Sequence, residues 1–268
     1  MNPLNHSKIE LPGREPLFTP KGWTAFLVAL LFVCLCVPLM NLIVPQGHWL
    51  HFSDYAVSLV GKIMCYAICA LAMDLIWGYT GILSLGHGLF FAIGGYVMGM
   101  YLMRSIGTEG VYQSELPDFM VFLNYKELPF TWWGFNWFPY AMLMVLLAPG
   151  ILAYIFGWFA FRSRVTGVYL SIITQALTFA AMLAFFRNDM GFGGNNGFTD
   201  FKRILGFPIA TPETRLALFA ITAAFLLAVL LLARWLVSSR FGRVLTAIRD
   251  AESRVMFCGY NPVHYKLF

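Results

Sequence analysis

Six apolar runs fill most of the chain, at about 23–44, 57–77, 88–106, 139–161, 166–186 and 216–237. Each meets or approaches the ~20 residues that cross a bilayer core as a helix. The runs are continuous rather than alternating, so they predict helices and not a β-barrel. Only 12% of the residues are charged and 59% are hydrophobic, whereas soluble domains carry roughly a quarter charged residues. No single water-soluble core of this size would hide so much apolar surface. The expected fold is an all-α polytopic membrane protein with about six transmembrane helices. The first run follows a proline-containing tail, residues 1–22, and comes too late for a cleaved signal peptide.

The stretch that joins the second and third runs, GYTGILSLGHGLFFAIGGYVMG (78–99), is unlike an ordinary loop. It holds seven glycines together with Thr80, Ser84 and His87, and no lysine or arginine. Irregular backbone at membrane depth is tolerated only where it is buried in protein or lines a cavity. A glycine-rich broken segment between spans two and three is therefore expected, forming part of the wall of a solute pathway. Tyr79, Thr80, Ser84, Gly86 and His87 are the candidate pathway residues. Their hydroxyl, imidazole and backbone groups suit a small polar solute that must exchange its water for other partners. The competing reading is close helix packing, with Gly95 and Gly99 as a small-xxx-small pair.

A second polar stripe lies in span five. Ser171, Thr174, Gln175 and Thr178 fall at i, i+3, i+4 and i+7 and share one helix face. That face either bonds a neighbouring helix or lines the same pathway. Beyond it, residues 185–201 are dense in glycine and amides. Asn195 and Asn196 there belong either to a tight turn or to an outer gate on the pathway. This is no phosphate loop, since no strand precedes it and no Lys-Ser/Thr follows. Asp74 is an intramembrane acid, and either a functional group or a helix-pairing one.

The net charge of +5 is no nucleic-acid signature, because the basic residues sit at span ends. Lys8, Arg14 and Lys21 precede span one, Arg162 and Arg164 follow span four, and Arg234, Arg240, Arg243, Arg249, Arg254 and Lys266 surround and follow the end of span six. A cytoplasmic N-terminus puts all of them inside. Lys126, Arg187, Lys202, Arg203 and Arg215 then fall outside, in longer loops that also hold acids. The run PFTWWGFNWFPY (129–140) predicts an aromatic belt at the outer interface.

After span six comes a basic amphipathic segment. Ile248, Ala251 and Val255 lie on one side of a helix, and Arg243, Arg249, Asp250 and Arg254 point elsewhere. Asp250 and Arg254 have a favourable i, i+4 order, and Gly259 and Pro262 end the helix. Such a helix lies on anionic lipid or docks on a partner. No Ser/His/Asp order, paired carboxylates, metal-ligand spacing or nucleotide motif stands out. The expectation is a non-enzymatic chain with no catalytic residues, metal or cofactor. The last residues, YKLF, open a new apolar run without a cap, which predicts a chain truncated at its C-terminus.

GYTGILSLGHGLFFAIGGY resembles the glycine-serine signature of the inner-membrane permeases of high-affinity branched-chain amino-acid ABC importers. FGRVLTAIRDAESRVMFCGYNPVHYKLF is similar to the coupling segment of the same family. The resemblance runs from about Ala56 to the last residue. DLIWGYTGILSLGHG, SIITQALTFAAMLAFFRNDMGFGGNNGFTDF and FMVFLNYKELP look closest to the urea-importing branch.

The resemblance implies a cytoplasmic tail over 1–22 and a permease domain over 23–268, incomplete because the family continues with further spans. Within it, 238–268 is the cytoplasmic coupling segment, with Arg243, Ala247, Ile248, Arg249, Asp250, Ala251, Glu252 and Gly259 as coupling residues. It also implies a multi-pass subunit of a bacterial inner membrane. The partners would be a second related permease, two cytoplasmic ATP-binding subunits and a periplasmic solute-binding protein. Urea is the implied solute, with a branched-chain amino acid or short amide as the alternative. The scarcity of mid-span charges leans towards a neutral solute, although helix termini can also hold charges. From the residues alone, a passive channel or membrane scaffold remains a further reading.

Overall fold

The long apolar runs become long helices in the computed structural model, which describes residues 20–45, 47–163, 165 and 167–268. The expected N-terminal tail through Thr19, with Lys8 and Arg14, lies outside the described residues, as does Arg164. Among the described residues five helices are long and apolar enough to cross a membrane: Lys21–Ile43, Asp54–Thr80, Phe138–Arg162, Val168–Phe186 and Pro212–Ser238. The protein is an all-α polytopic membrane protein. The third expected run is also helical, as α3 (His87–Arg104), but its glycines and its terminal His87 and Arg104 dilute its apolar character. It carries more buried residues than any other described helix, so its surroundings are largely protein.

The chain forms two compact units, divided between Ser53 and Asp54. The first contains α1 (Pro20–Ile43), with Pro38 inside it. The turn behind α1 folds back on its end: Asn41 Nδ2 donates to the Phe52 carbonyl at 2.7 Å, and His51 Nδ1 lies 2.8 Å from the Val44 carbonyl.

The second unit begins with α2 (Asp54–Leu75), which runs into a π-helical turn at Ile76–Thr80. Then come α3, the short α4 (Asp118–Phe122), α5 (Phe138–Arg162), α6 (Val168–Phe186), the hairpin β1 (Arg203–Ile204) and β2 (Phe207–Pro208), α7 (Pro212–Ser238), α8 (Arg240–Phe257) and α9 (Pro262–Leu267). α3 packs along α5, and α2 along α7. The hairpin pairs Arg203 with Pro208 and Ile204 with Phe207. Proline occupies the first turn of α5, α7 and α9, where its missing N–H costs nothing.

The hydrophobic core sits at the C-terminal half of α3. Val97, Met100, Tyr101, Met103 and Ile106 bury against Ala141 of α5 and against Met120, Trp132 and Phe135 from the loop between α3 and α5. This modifies the aromatic-belt expectation. Phe130, Trp133 and Trp137 do point outward, but Trp132 and Phe135 turn inward into the core. Trp132 has no exposed surface, and its Nε1 donates to the Gly191 carbonyl at 3.1 Å. Arg203 of β1 pairs with Glu109 in the loop after α3 at 2.7 Å, and Arg215 in the first turn of α7 pairs with Asp54 at the start of α2 at 3.4 Å.

α8 starts on a cap, with Ser239 Oγ accepting from the Gly242 amide. The expected stop is present: Cys258 and Gly259 (φ +85) end α8, and Pro262 opens α9. The expected Asp250–Arg254 pairing does not form. Ala251 departs from helical backbone (φ −157, ψ 72), and this kink falls between the two residues. Asp250 instead pairs with Arg249 at 2.8 Å.

Candidate functional site

Gly81 stops the π-helical turn with left-handed backbone (φ +71), and residues 82–86 then run without helix until His87 opens α3. Backbone of this kind leaves amides and carbonyls without ladder partners, and at membrane depth protein must supply them. α6 does so. Ser171 Oγ donates to the Leu83 carbonyl at 2.7 Å. The Leu85 amide donates to Thr174 Oγ1 at 3.1 Å, and that hydroxyl donates onward to the Ser171 carbonyl at 2.9 Å. A Cβ on Gly86 would sit 3.2 Å from the Thr174 Cβ and carbonyl oxygen, so glycine is what lets the break approach α6. Hydrogen bonding between α6 and the break thus accounts for Ser171 and Thr174, whose hydroxyls are taken up by backbone.

Alternate side chains of the break face opposite ways. Ser84 lines a cavity of about 700 Å³ together with Tyr79, Thr80, His87 and Thr174. Gly150 and Gly157 of α5, Gly242 of α8 and Lys266 of α9 also line it, and most of the remaining wall is apolar, with Ile82, Phe156, Leu170 and Leu245 among it. Leu83 and Leu85 line a second, surface concavity of about 820 Å³, with Ser171 and Gln175. Gln175 is exposed there. In the first cavity His87 is half-buried, its Nδ1 3.4 Å from the Ser84 carbonyl. Among the described residues Lys266 is the only lysine, arginine or carboxylate residue that lines it. Its side chain is 8% exposed, and its Nζ pairs with Glu252 at 2.7 Å.

The remaining expected pathway residues lie elsewhere. Asn195 and Asn196 are exposed in a 3-10 turn beyond the far end of α6. At ~1.5 Å per residue the helix carries the chain on the order of 18 Å from Thr174 before that turn begins. Asp74 is exposed on α2 and lines neither cavity. The sequence pattern thus combined three places: the break cavity, the surface concavity and the loop beyond α6. Among the described residues no group of three or more His, Cys, Asp or Glu is arranged to hold a metal ion.

α8 presents two faces. Arg243, Ala247, Asp250 and Ala251 line a shallow groove of about 560 Å³ with Arg240 and Arg254. Ile248 is 2% exposed and faces into the protein with Gly242 and Leu245. Arg249 Nη1 donates to the Gly78 carbonyl in the π-helical turn. Glu252 holds Lys266. The expected coupling set is therefore split. Ile248, placed on one face with Ala251 and Val255 by simple helical spacing, is separated from them by the kink at Ala251.

This arrangement joins an amphipathic helix on one side of a membrane domain to a broken, cavity-lining segment within it. The family model for the permease component of branched-chain amino-acid transport systems matches residues 55–268. The chain belongs to this family. No curated protein and no solved structure matches it. The match starts where the second compact unit starts, so α1 falls outside it.

The protein is thus a membrane-embedded permease subunit of an ABC transport system. Its cavity contains groups that pattern reading missed. Lys266 stands in the sequence as a basic residue after the last span and within the coupling-segment resemblance, not as a pathway residue. Pro149 and Gly150, inside α5, also line the cavity, and a proline-glycine pair within an apolar run was the available signal.

Proposed function

We propose that this permease moves urea across a bacterial inner membrane as one subunit of an ATP-driven importer. Its partners would be a second related permease, two cytoplasmic ATP-binding subunits and a periplasmic solute-binding protein. The N-terminus lies in the cytoplasm, residues 23–268 form the permease domain, and 238–268 form its coupling segment. One observation carries the choice of solute. The cavity at the break presents hydroxyls, an imidazole and backbone within mainly apolar walls, and the one lysine among its described lining residues is already neutralised by Glu252. Urea is neutral and rich in donors and acceptors, so it needs no buried counter-charge. An amino acid brings two charges that need partners. Tyr79, Thr80, Ser84 and His87 are assigned to the solute route, with Gln175 on the surface concavity where a second permease would close it.

A branched-chain amino acid is the second reading, favoured by the apolar walls at Ile82 and Leu170. The two separate in a strain lacking other importers that expresses the complete importer. Labelled urea should accumulate in an ATP-dependent way, and Ser84→Ala should reduce it. Leucine uptake that urea fails to compete would replace the urea assignment with the amino-acid one.

A further inference from the structure

We infer that Arg249 is the positioning residue that carries movement of the α8 groove into the break, resting on the ATP-driven reading above. Three observations converge on this side chain. Its guanidinium holds two groups at once, the Gly78 carbonyl in the π-helical turn and the Asp250 carboxylate, which lines the outward groove. Its stem lies against Gly81, where an added Cβ would come within 2.7 Å of Arg249 Cγ. Beside it, a pocket of about 240 Å³ under Thr80 and Gly81 leaves room for displacement.

The route is short and covalently continuous on either side. Asp250 moves with whatever seats in the groove. Arg249 follows as its neighbour on the same helix, and its Nε and Nη2 also bond one oxygen of Asp250. Gly78 belongs to the turn that leads directly to Tyr79, Thr80 and the cavity. The turn is the yielding element, since a π-helical turn interrupts the regular helical ladder and none of its residues Ile76–Thr80 is buried. Glu252, one residue past the kink, is tied instead to Lys266 on α9. The kink at Ala251 thus separates a part of α8 tied to the break from a part tied to α9. This makes Arg249 an inward lever and leaves docking to Arg243, Ala247 and Asp250.

The test uses the assembled importer, purified through a tag on this permease and placed in liposomes, with a cysteine at Ile82 in a cysteine-free background. In the Arg249 parent, a non-hydrolysable ATP analogue should change the thiol-labelling rate by about fivefold, the low end of usual coupling between two sites. In Arg249→Gln that response should vanish while basal ATP hydrolysis persists, and urea moved per ATP should fall in step. Arg249→Lys keeps the charge and tolerates assembly should the Gln variant misfold. It lacks the guanidinium's hold on both groups and should lose the response too. A parent-like labelling response in either variant overturns the inference, as would hydrolysis and uptake that fall in proportion. Absence of ATP-driven urea uptake in the parent would sink the functional reading instead, with the labelling response still deciding the role of Arg249.

Discussion

At its C-terminal end α3 is locked. Met100, Tyr101 and Met103 bury against α5, and Trp132 and Met120 from the following loop have no exposed surface. At its N-terminal end the same helix begins from six residues without helix, beside a cavity of about 700 Å³, and is held to α6 by two hydroxyls. The difference concerns what each end can do. A close-packed cluster has one good arrangement, and any shift opens a void. A glycine-rich break held by a few hydrogen bonds, each worth ~1 kcal/mol net, can exchange one set for another. A permease needs both, a fixed frame and a segment that rearranges within it.

The contrast is most exposed to failure at Trp132. Trp132→Ala removes a fully buried ring and the bond to the Gly191 carbonyl, and should destabilise the permease by about 3–5 kcal/mol. Thermal unfolding in detergent is the measurement, with little stable protein expected. A melting temperature within about 2 °C of the parent's would mean that the loop end is no frame at all.

The next effect belongs to the coupling side. Glu252→Gln leaves Lys266, 8% exposed, without its counter-charge. The cost should be about 1–3 kcal/mol, below that of a fully buried pair because the Glu252 side chain is 38% exposed. Lys266→Met added to it should restore most of the loss. If the double variant is as unstable as the single one, the pair is not what holds α9 to α8.

Much of this is legible in the sequence alone. Span positions are local in origin, set by run length and apolar content, and five of the six runs became helices fit to span. The break was legible because glycines, Ser84 and His87 have no business in a plain loop or a plain span. Three features were not. Trp132 and Trp133 are chemically identical neighbours, yet one is buried and the other exposed, a choice made by Gly191 from a distant loop. Ile248 parts from Ala251 because Arg249 and Glu252 are anchored to different elements, on either side of the kink. Asn195 and Asn196 shared composition with the break but not location, since α6 lies between them. Composition finds polar groups in an apolar chain, whereas only the fold decides which of them meet.

The smallest change in stability should come from the most informative pair, Ser171 and Gln175, one helical turn apart on α6. Ser171→Ala leaves the Leu83 carbonyl without its donor and should cost about 1 kcal/mol, a small but resolvable fall in melting temperature. Gln175 is exposed in the surface concavity, so Gln175→Leu should change stability by less than about 0.5 kcal/mol. Uptake should respond in the opposite order. Gln175→Leu should lower urea transport by the assembled importer, because an amide that could exchange hydrogen bonds with urea is replaced by an apolar group. Ser171→Ala should lower it less, because that hydroxyl serves the backbone rather than the solute. If Gln175→Leu transports urea like the parent, the concavity lies off the solute's route, and the route is confined to the cavity at Ser84. If it melts like Ser171→Ala, Gln175 belongs to the scaffold, and the stripe on α6 has one role instead of two.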